Sequence, residues 1–265
     1  MNPSSFSATH WHQNATQGRE LSLISEEPLS IRVDGHPYSV VMRTPGNETA
    51  HAAGFCLGEG IVDSPDDIAS IGFCDGQDTN TVTITLSPQR RKAAAAFTDR
   101  RFYVSQTSCG LCGKQLVEEL YQDIHPIQDD IHLPLAPTLR RLEALGDHQP
   151  LRAETRAAHA AALYDQNLDL LTVAEDVGRH NALDKAVGEL FLKKCLSEAK
   201  LLILSSRISY ELVQKAARAR IPIILGMSRP TELAVTLADQ LNMTLACLAG
   251  GGGLFIFTHP QRLHP

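Results

Sequence analysis

The order of apolar and polar positions predicts strands and short helices in the first half of the chain. Alternating positions at 29–33 and 38–42 flank Asp34-Gly35, a pattern typical of a β-hairpin. A helix is expected at 50–59, because this run is rich in good helix formers and follows a polar start at 45–48. The other elements predicted here are strands at 68–73 and 81–86, a helix at 88–97 and a short extended segment at 102–104.

In the second half, predicted helices and strands alternate. Apolar runs such as Leu201–Leu204 have no polar alternation, which is typical of strands that are buried on both faces. We therefore expect a largely parallel sheet with helices on both sides. The predicted strands are 158–163, 168–174, 201–205, 221–225, 244–248 and 254–257, and the predicted helices are 139–145, 181–194, 210–220 and 232–241.

Local composition divides the chain into four parts. Residues 1–25 are polar and lack the apolar core of a signal peptide, so a flexible tail is expected. Residues 26–122 form a smaller α+β region that ends in a cysteine loop. Residues 123–137 contain three prolines and several charges and form the candidate linker. Residues 138–265 form a larger α/β domain.

Overall composition indicates a globular protein without a nucleic-acid or membrane partner. The chain has 265 residues, of which 43% are hydrophobic and 20% charged, so it can bury a sizeable core. Its net charge of -6 does not favour duplex nucleic acid, and its apolar runs are too short to span a membrane. We expect a cytoplasmic protein whose six cysteines are thiols. Four of them are expected to be small core residues: Cys56, Cys74, Cys195 and Cys247.

The strongest chemical signal is the pair Cys109 and Cys112, with a glycine beside each thiol. This spacing suits dithiol exchange, half of a zinc site or a sulfur-carrying thiol. Lys114 and a helix start at 114–120 favour thiolate formation. No zinc is expected, because a second pair of ligands is missing and a deaminase zinc site needs a proline before the pair and an upstream H-x-E. The neighbouring glycines and the polar run 106–108 argue against two ordinary core cysteines.

Polar clusters follow three of the predicted strands in the second half. In open α/β sheets, ligands bind beyond the carboxyl ends of strands, where helix N-termini favour anions such as phosphate. Helix capping and a flexible turn are the simpler alternatives. His159, alone at a strand start, is expected to be structural. The candidate binding residues are Asp176, Arg179 and His180 in the first cluster, Ser206 and Arg207 in the second, and Gly250, Gly251, Gly252 and Gly253 in the third.

Several long motifs, in the same order, resemble those of the formate dehydrogenase accessory proteins of the FdhD type. The motifs lie at 53–61, 107–113, 175–185, 205–211 and 258–263. The similarity runs from about Glu27 to the C-terminus, and its specificity comes from the set of motifs and not from the cysteine pair alone.

The resemblance implies a sulfurtransferase of molybdenum (or tungsten) cofactor maturation. In that family, a cysteine desulfurase loads sulfur as a persulfide on the cysteine loop. The sulfur passes to Mo-bis(molybdopterin guanine dinucleotide), the cargo, which is delivered to a formate dehydrogenase client. The implied fold is a cytidine-deaminase-like three-layer α/β domain with a mixed sheet, without zinc, in a homodimer. The persulfide position falls on Cys109, with Cys112 as the second catalytic thiol, and the cofactor-binding segment falls on Leu248, Ala249 and the four glycines.

Two departures from the family pattern and two rival functions accompany this interpretation. Gly253 stands where many members carry a basic residue, and Thr155-Arg156 replaces a T-G pair, which moves a possible phosphate contact to Arg156.

A dithiol oxidoreductase is the rival enzyme, although no thioredoxin-like βαβ pattern precedes Cys109. A cofactor-binding chaperone without sulfur transfer is the rival without catalysis.

Overall fold

The fold is described from a computed structural model, for residues 4–13, 15–74, 78–92 and 124–265. Its N-terminal elements are β1 (Ser4–His12), β2 (Ala15–Leu23), β3 (Glu27–Val33), β4 (His36–Arg43), α1 (Glu48–Gly58), β5 (Ile68–Phe73) and β6 (Thr81–Leu86), followed by a helical stretch at 88–92. From residue 124 onward the elements are β7 (Leu133–Pro134), α2 (Leu135–Glu143), α3 (Pro150–Thr155), β8 (His159–Tyr164), β9 (Leu170–Asp176), α4 (Arg179–Leu192), β10 (Leu201–Leu204), α5 (Tyr210–Arg218), β11 (Ile223–Gly226), α6 (Glu232–Gln240), β12 (Thr244–Leu248), β13 (Leu254–Thr258) and β14 (Leu263–His264).

The apolar runs of the second half form one mixed sheet in the order β13-β12-β11-β10-β8-β9. Two of the neighbouring pairs are parallel, β10 with β11 and β11 with β12. The pairs β12–β13, β8–β10 and β8–β9 are antiparallel. The expectation of a largely parallel sheet is therefore wrong, because short turns join β8 to β9 and β12 to β13, and a short turn can join only antiparallel neighbours. The α/β class with a mixed sheet is confirmed.

Both faces of the four inner strands β8, β10, β11 and β12 are buried, which explains their continuous apolar runs. Leu202 and Leu204 of β10 belong to one core, whereas Leu201 and Ile203 belong to the other. The first face is covered by α1, α4, α5 and α6, and the second by α2 and the chain around Leu133 and Leu263. A strand enclosed on both sides has no solvent face, so it shows no polar alternation.

The N-terminal half adds a second sheet, in the order β4-β3-β6-β5. The expected hairpin is confirmed as β3 and β4, which pair antiparallel on either side of Asp34. Leu29, Ile31 and Ile84 join the same core as α1 and α4, so this sheet packs on the helices that cover the larger sheet. The division into domains stays a prediction, although the described part of the candidate linker, from 124, is packed: Ile127 is buried, and its N–H donates to the Leu241 carbonyl at 2.9 Å.

Helices α1 and α4 cross with their backbones in contact. A Cβ added to Gly188 would lie 2.7 Å from the Gly54 nitrogen and would overlap the Ala50 carbonyl. A Cβ on Gly54 would likewise overlap the Asp184 carbonyl. Only glycine permits such an approach, so this pair sets the distance between the two helices.

Two expectations for the N-terminal half are wrong. The predicted tail at 1–25 contains the hairpin of β1 and β2, paired from Ser4 with Leu23 to His12 with Ala15. Its residues are mostly exposed, and backbone pairing alone leaves little hydrophobic pattern to detect. Cys74 is exposed at the end of β5, with its Sγ 3.0 Å from Thr83 Oγ1, and is not a core residue. In the described ranges, no helix is long and apolar enough to cross a membrane.

Candidate functional site

The predicted binding residues of the second half lie at one edge of the six-stranded sheet. β9 ends at Asp176, β10 ends just before Ser205, and β12 ends at Leu248, all at this edge. Because β8 runs in the opposite direction, it starts here, with His159 paired to Asp176. The ends of β9 and β12 are four strand positions apart, or roughly 19 Å at about 4.8 Å per strand.

Asp176 is fully buried at this edge, and its carboxylate contacts four donors. Its Oδ2 accepts the Thr44 N–H at 3.0 Å and lies 2.6 Å from Lys185 Nζ. Its Oδ1 accepts the Gly178 N–H at 2.8 Å and the Asn181 side-chain amide at 2.9 Å. Both carboxylate oxygens are therefore engaged in holding the loop before α4. Its direct contact with a ligand stays a prediction.

The same loop is tied to the end of β4 through Thr44. Lys185 Nζ donates to the Thr44 carbonyl at 2.6 Å, and the Val177 N–H donates to Thr44 Oγ1 at 3.0 Å. The Asn181 amide also reaches the Met42 carbonyl at 2.7 Å. Sequence reasoning missed these contacts because they join residues more than 130 positions apart. The sequence signal for these contacts was Lys185, because a lysine among the core residues of α4 needs a buried partner.

His180 connects the first polar cluster to the second. Its Nε2 lies 3.0 Å from Glu211 Oε2 and 3.4 Å from Ser209 Oγ, at the start of α5. The hydrogen bond with His180 lowers the pKa of Glu211. Ser206 is buried and donates to the Arg207 carbonyl at 2.9 Å, whereas Arg207 itself is exposed. The structure thus brings the starts of α4 and α5 together.

Arg179 and His159 each bury a nitrogen that has no hydrogen-bond partner in the described part of the chain. These atoms are Arg179 Nε and His159 Nδ1. Burial lowers the pKa of His159, and the nearby Arg179 and Arg152 guanidinium groups lower it further. His159 therefore lies within the candidate site, a location that a lone histidine at a strand start did not reveal.

The glycine segment forms the turn between β12 and β13, at the far end of the same edge. The Ala249 N–H donates to the Gly253 carbonyl at 2.9 Å, which closes the turn after Leu248. Gly251, Gly252 and Gly253 have φ angles of 85°, 94° and 91°, a conformation that side-chain-bearing residues rarely adopt. Gly250, Gly251 and Gly252 are exposed, and the Gly252 N–H donates back to the Ala249 carbonyl at 3.3 Å.

The cysteine loop and the helix predicted after it lie outside the described residues. The catalytic roles of Cys109 and Cys112 stay predictions. Of the other cysteines, Cys56 and Cys247 are buried and Cys195 is half-buried. Burial raises the pKa values of the Cys56 and Cys247 thiols, which makes both poor nucleophiles at neutral pH.

A second buried polar group lies between α1, α4 and α5. Lys215 Nζ donates to both oxygens of Asp184, at 2.9 Å and 3.0 Å. His51 is fully buried, and among the described residues neither ring nitrogen has a partner in hydrogen-bonding geometry. Burial, followed by the charges of Lys185, Lys215 and Arg43, lowers the pKa of His51 to about 3. His51 is therefore neutral at physiological pH.

The His51→Leu variant is expected to resist acid better than the wild type. An unfolded chain protonates His51 near its ordinary pKa of 6.5, whereas the folded chain protonates it only near 3, so acid favours unfolding. Below pH 6.5 the wild type should lose about 1.4 kcal/mol of unfolding free energy per pH unit relative to the variant. Urea unfolding of both proteins between pH 4.5 and 8 measures this difference.

The comparison of slopes isolates His51 from other groups that titrate in this range. Burial raises the pKa of Asp184, but Asp184 is present in both proteins and cancels. The control is His36→Leu, at an exposed position of β4, which should follow the wild type. Parallel pH profiles for His51→Leu and the wild type would contradict a neutral, buried His51.

Comparison with known proteins gives one consistent family. The sequence profile of the FdhD/NarQ family matches residues 24–264. A protein of Xanthomonas campestris pv. campestris named sulfur carrier protein FdhD is 37% identical over 239 residues, which cover 90% of this chain and 84% of the relative. A protein of the same name from Bordetella bronchiseptica is 35% identical and covers 93% of this chain and 88% of its own length.

A solved structure has the same fold. The crystal structure of a formate dehydrogenase accessory protein from Desulfotalea psychrophila aligns with a TM-score of 0.79, covering 100% of both chains. Its sequence identity is 22%, so this likeness concerns the fold alone.

Proposed function

Since the chain belongs to the FdhD/NarQ family, as its motifs indicated, we propose that it carries sulfur for the maturation of a formate dehydrogenase. The names of the relatives support a sulfur-carrying role. The finer proposal is that a cysteine desulfurase supplies the sulfur and that the acceptor is Mo-bis(molybdopterin guanine dinucleotide), bound as cargo.

In this proposal Cys109 is the sulfur acceptor. Its thiolate attacks the outer sulfur of the persulfide on the desulfurase, so a new S–S bond forms on Cys109. The donor S–S bond breaks at the same time, and the donor cysteine leaves as a thiolate. Cys112 assists the later release of sulfur or restores the free thiol. The loop sequence supports this role, because Gly110 and Gly113 add no side chain next to either cysteine.

The observation that carries the proposal is the gathering of anion-binding groups at one sheet edge. Among the described residues, neither Arg179 nor Arg207 forms an ion pair with a carboxylate, and Gly250 and Gly251 of the glycine turn are exposed. Guanidinium groups and free amides are the usual ligands of phosphate. A cargo with two guanosine diphosphate arms needs several phosphate contacts, and an edge of roughly 19 Å offers them at separate points.

Three further features belong to the same proposal. The larger region is a cytidine-deaminase-like three-layer domain, supported by its mixed sheet with helices on both faces. The active form is a homodimer. The exchange takes place in the cytoplasm, where thiols remain reduced.

Incubation of the full chain with a cysteine desulfurase and cysteine tests the sulfur-carrying step. Intact-protein mass spectrometry should show a gain of about 32 Da, the mass of one sulfur transferred by thiolate attack. Omission of the desulfurase is the control and should leave the mass unchanged. A loss of two hydrogens would favour a dithiol oxidoreductase. An unchanged mass with the desulfurase present would favour a cofactor chaperone without sulfur transfer.

A further inference from the structure

The hairpin of β1 and β2 stands apart from the two sheets that form the core. Among the described residues its strands pair only with each other, from Ser4 with Leu23 to His12 with Ala15. β2 also lies against α3, whereas β1 packs chiefly on β2. A two-stranded hairpin by itself is at best marginally stable in water. The outer edge of β1 is therefore the part of the hairpin that lacks support from the described chain.

Large apolar side chains on this hairpin are left open to solvent. Because paired and alternate residues share a face, Phe6, Leu21 and Leu23 lie on one face of the hairpin and Trp11 lies on the other. Phe6 is 53% exposed and Trp11 is 66% exposed, and both leucines are exposed as well. Single exposed apolar residues are ordinary, but a cluster of them on one small element marks a surface of interaction.

The sequence of β1 carries none of the features that normally keep the edge of a sheet from pairing. Natural edges are protected by charged side chains, prolines or bulges, because their free N–H and C=O groups can pair with any other strand. β1, from Ser4 to His12, has no lysine, arginine, aspartate, glutamate or proline, and its pairing with β2 has no register shift. β2, in contrast, carries Arg19 and Glu20. The outer edge of β1 is therefore open to a further strand.

The order of residues along β1 makes this strand complementary to itself. In a two-fold symmetric pair, residue i lies opposite residue j of the second copy, and j lies opposite i. The antiparallel register that pairs all nine residues of β1 is centred on Ala8, so Ala8 meets Ala8 and Phe6 meets His10. The same register on β2 would set Arg19 opposite Arg19, and like charges directly opposite each other destabilise a sheet. Charge therefore favours β1, and not β2, as the strand that meets a second copy.

We propose that the outer edge of β1 pairs antiparallel with the same edge of a second copy, so that the two hairpins form one four-stranded sheet in the order β2-β1-β1-β2. A sheet of three or more strands with an apolar face is stable where a lone hairpin is not. The inference deepens the proposed function, because it assigns an interface to the homodimer proposed there and rests on that proposal for the second copy. The hairpin lies outside residues 24–264, which the family profile matches, so family membership alone does not supply this contact.

Sedimentation equilibrium of the full chain, over a range of concentrations, tests this interface. The wild type should form a dimer, and Ala8→Lys should raise its dissociation constant by about tenfold or more, because two ammonium groups would meet at the symmetry axis. The control is Gln17→Lys, which adds the same charge to the same face of the hairpin, but on β2. Its two new charges would lie about 20 Å apart, beyond the screening length at physiological salt, so its dissociation constant should stay within about threefold of the wild type.

The opposite charge at the same position tests the register. Ala8→Glu should weaken the dimer as Ala8→Lys does, since like charges again meet at the axis. An equal mixture of the two variants should form a heterodimer about tenfold or more tighter than either variant alone, because opposite charges then face each other. Such a recovery also shows that both variants keep the hairpin. A mixture no tighter than the separate variants would overturn the register centred on Ala8.

Three other results would overturn the interface. The first is a wild type that stays monomeric. The second is a dimer that neither Ala8→Lys nor Ala8→Glu weakens, which would locate the contact elsewhere on the chain. The third is an equal loss in Gln17→Lys, which would indicate a general effect of added charge.

Sulfur loading of the wild type separates this inference from the proposed function. A wild type that dimerises through β1 but never gains sulfur from the desulfurase would overturn the sulfur-carrying role alone. Normal loading, together with a dimer that is indifferent to both substitutions of Ala8, would overturn the β1 interface alone.

Discussion

Replacement of Gly188 by alanine is expected to destabilise the folded chain strongly. The new Cβ would meet the backbone of α1 at Ala50 and at Gly54, and backbone atoms cannot rotate away as a side chain can. Overpacking of a core typically lowers the free energy of unfolding by about 1–3 kcal/mol. Because this clash involves two backbones, we expect a loss of about 3 kcal/mol or more. Urea unfolding followed by circular dichroism measures the loss.

Gly146→Ala is the matched control for this experiment. A Cβ at Gly146 meets no atom within 4 Å, and its φ angle is not positive, so the substitution should change stability by less than about 1 kcal/mol. Gly54→Ala should behave like Gly188→Ala, because it removes the same close approach from the other helix. An unfolding midpoint for Gly188→Ala equal to that of the wild type would show that the helices can separate without penalty.

The crossing also has a functional consequence, because α4 begins with Arg179 and His180. A shift of α4 away from α1 would move both side chains relative to β8 and α5. A variant that remains partly folded should therefore lose nucleotide affinity as well as stability. The motif at 53–61 contains Gly54, which allows this close packing of α1 on α4.

Patterns within a short stretch of sequence predicted most of the elements correctly. The hairpin of β3 and β4 and the alternation of helices and strands after residue 158 follow from local periodicity and turn residues. The edge location of the binding candidates follows from a general property of α/β sheets, and the structure places Asp176, Ser206 and the glycine turn at one such edge.

Contacts between distant parts of the chain were beyond such patterns. The direction of β8 depends on its pairing with β10, which is about 40 positions away and leaves no local signature. The hydrogen bonds that join Thr44 to Asp176 and to Lys185 likewise depend on how the two sheets pack. The charges around His159 come from α3 and α4, on either side in sequence, so its surroundings could not be read from the strand start alone.

The largest functional effect is expected from Cys109→Ser, which should abolish the activity of the formate dehydrogenase client. A serine hydroxyl is hardly ionised at neutral pH and does not form a persulfide, so client activity should fall by roughly 100-fold or more. Cys112→Ser should only reduce it, because the second thiol assists and does not carry the sulfur. Client activity and the intact mass of each variant after loading are the two measurements.

Electrostatics alone does not choose between the two thiols, which is why both variants are needed. Cys112 stands closer in sequence to Lys114 and to the predicted helix start, which favours its thiolate. A more stable thiolate is also a weaker nucleophile, so this advantage partly cancels. Thr107 and Ser108 precede Cys109 and can donate hydrogen bonds to its thiolate, and the family resemblance assigns the persulfide to this position.

Cys74→Ser is the matched control, since Cys74 is an exposed thiol outside the loop. It should load sulfur and activate the client as the wild type does, which shows that exposure alone does not make a carrier. A Cys109→Ser protein that still gains sulfur and activates its client would contradict the assignment to Cys109. Full client activity in both Cys109→Ser and Cys112→Ser would contradict sulfur transfer through this loop altogether, and the anion-binding edge would then serve a cofactor chaperone.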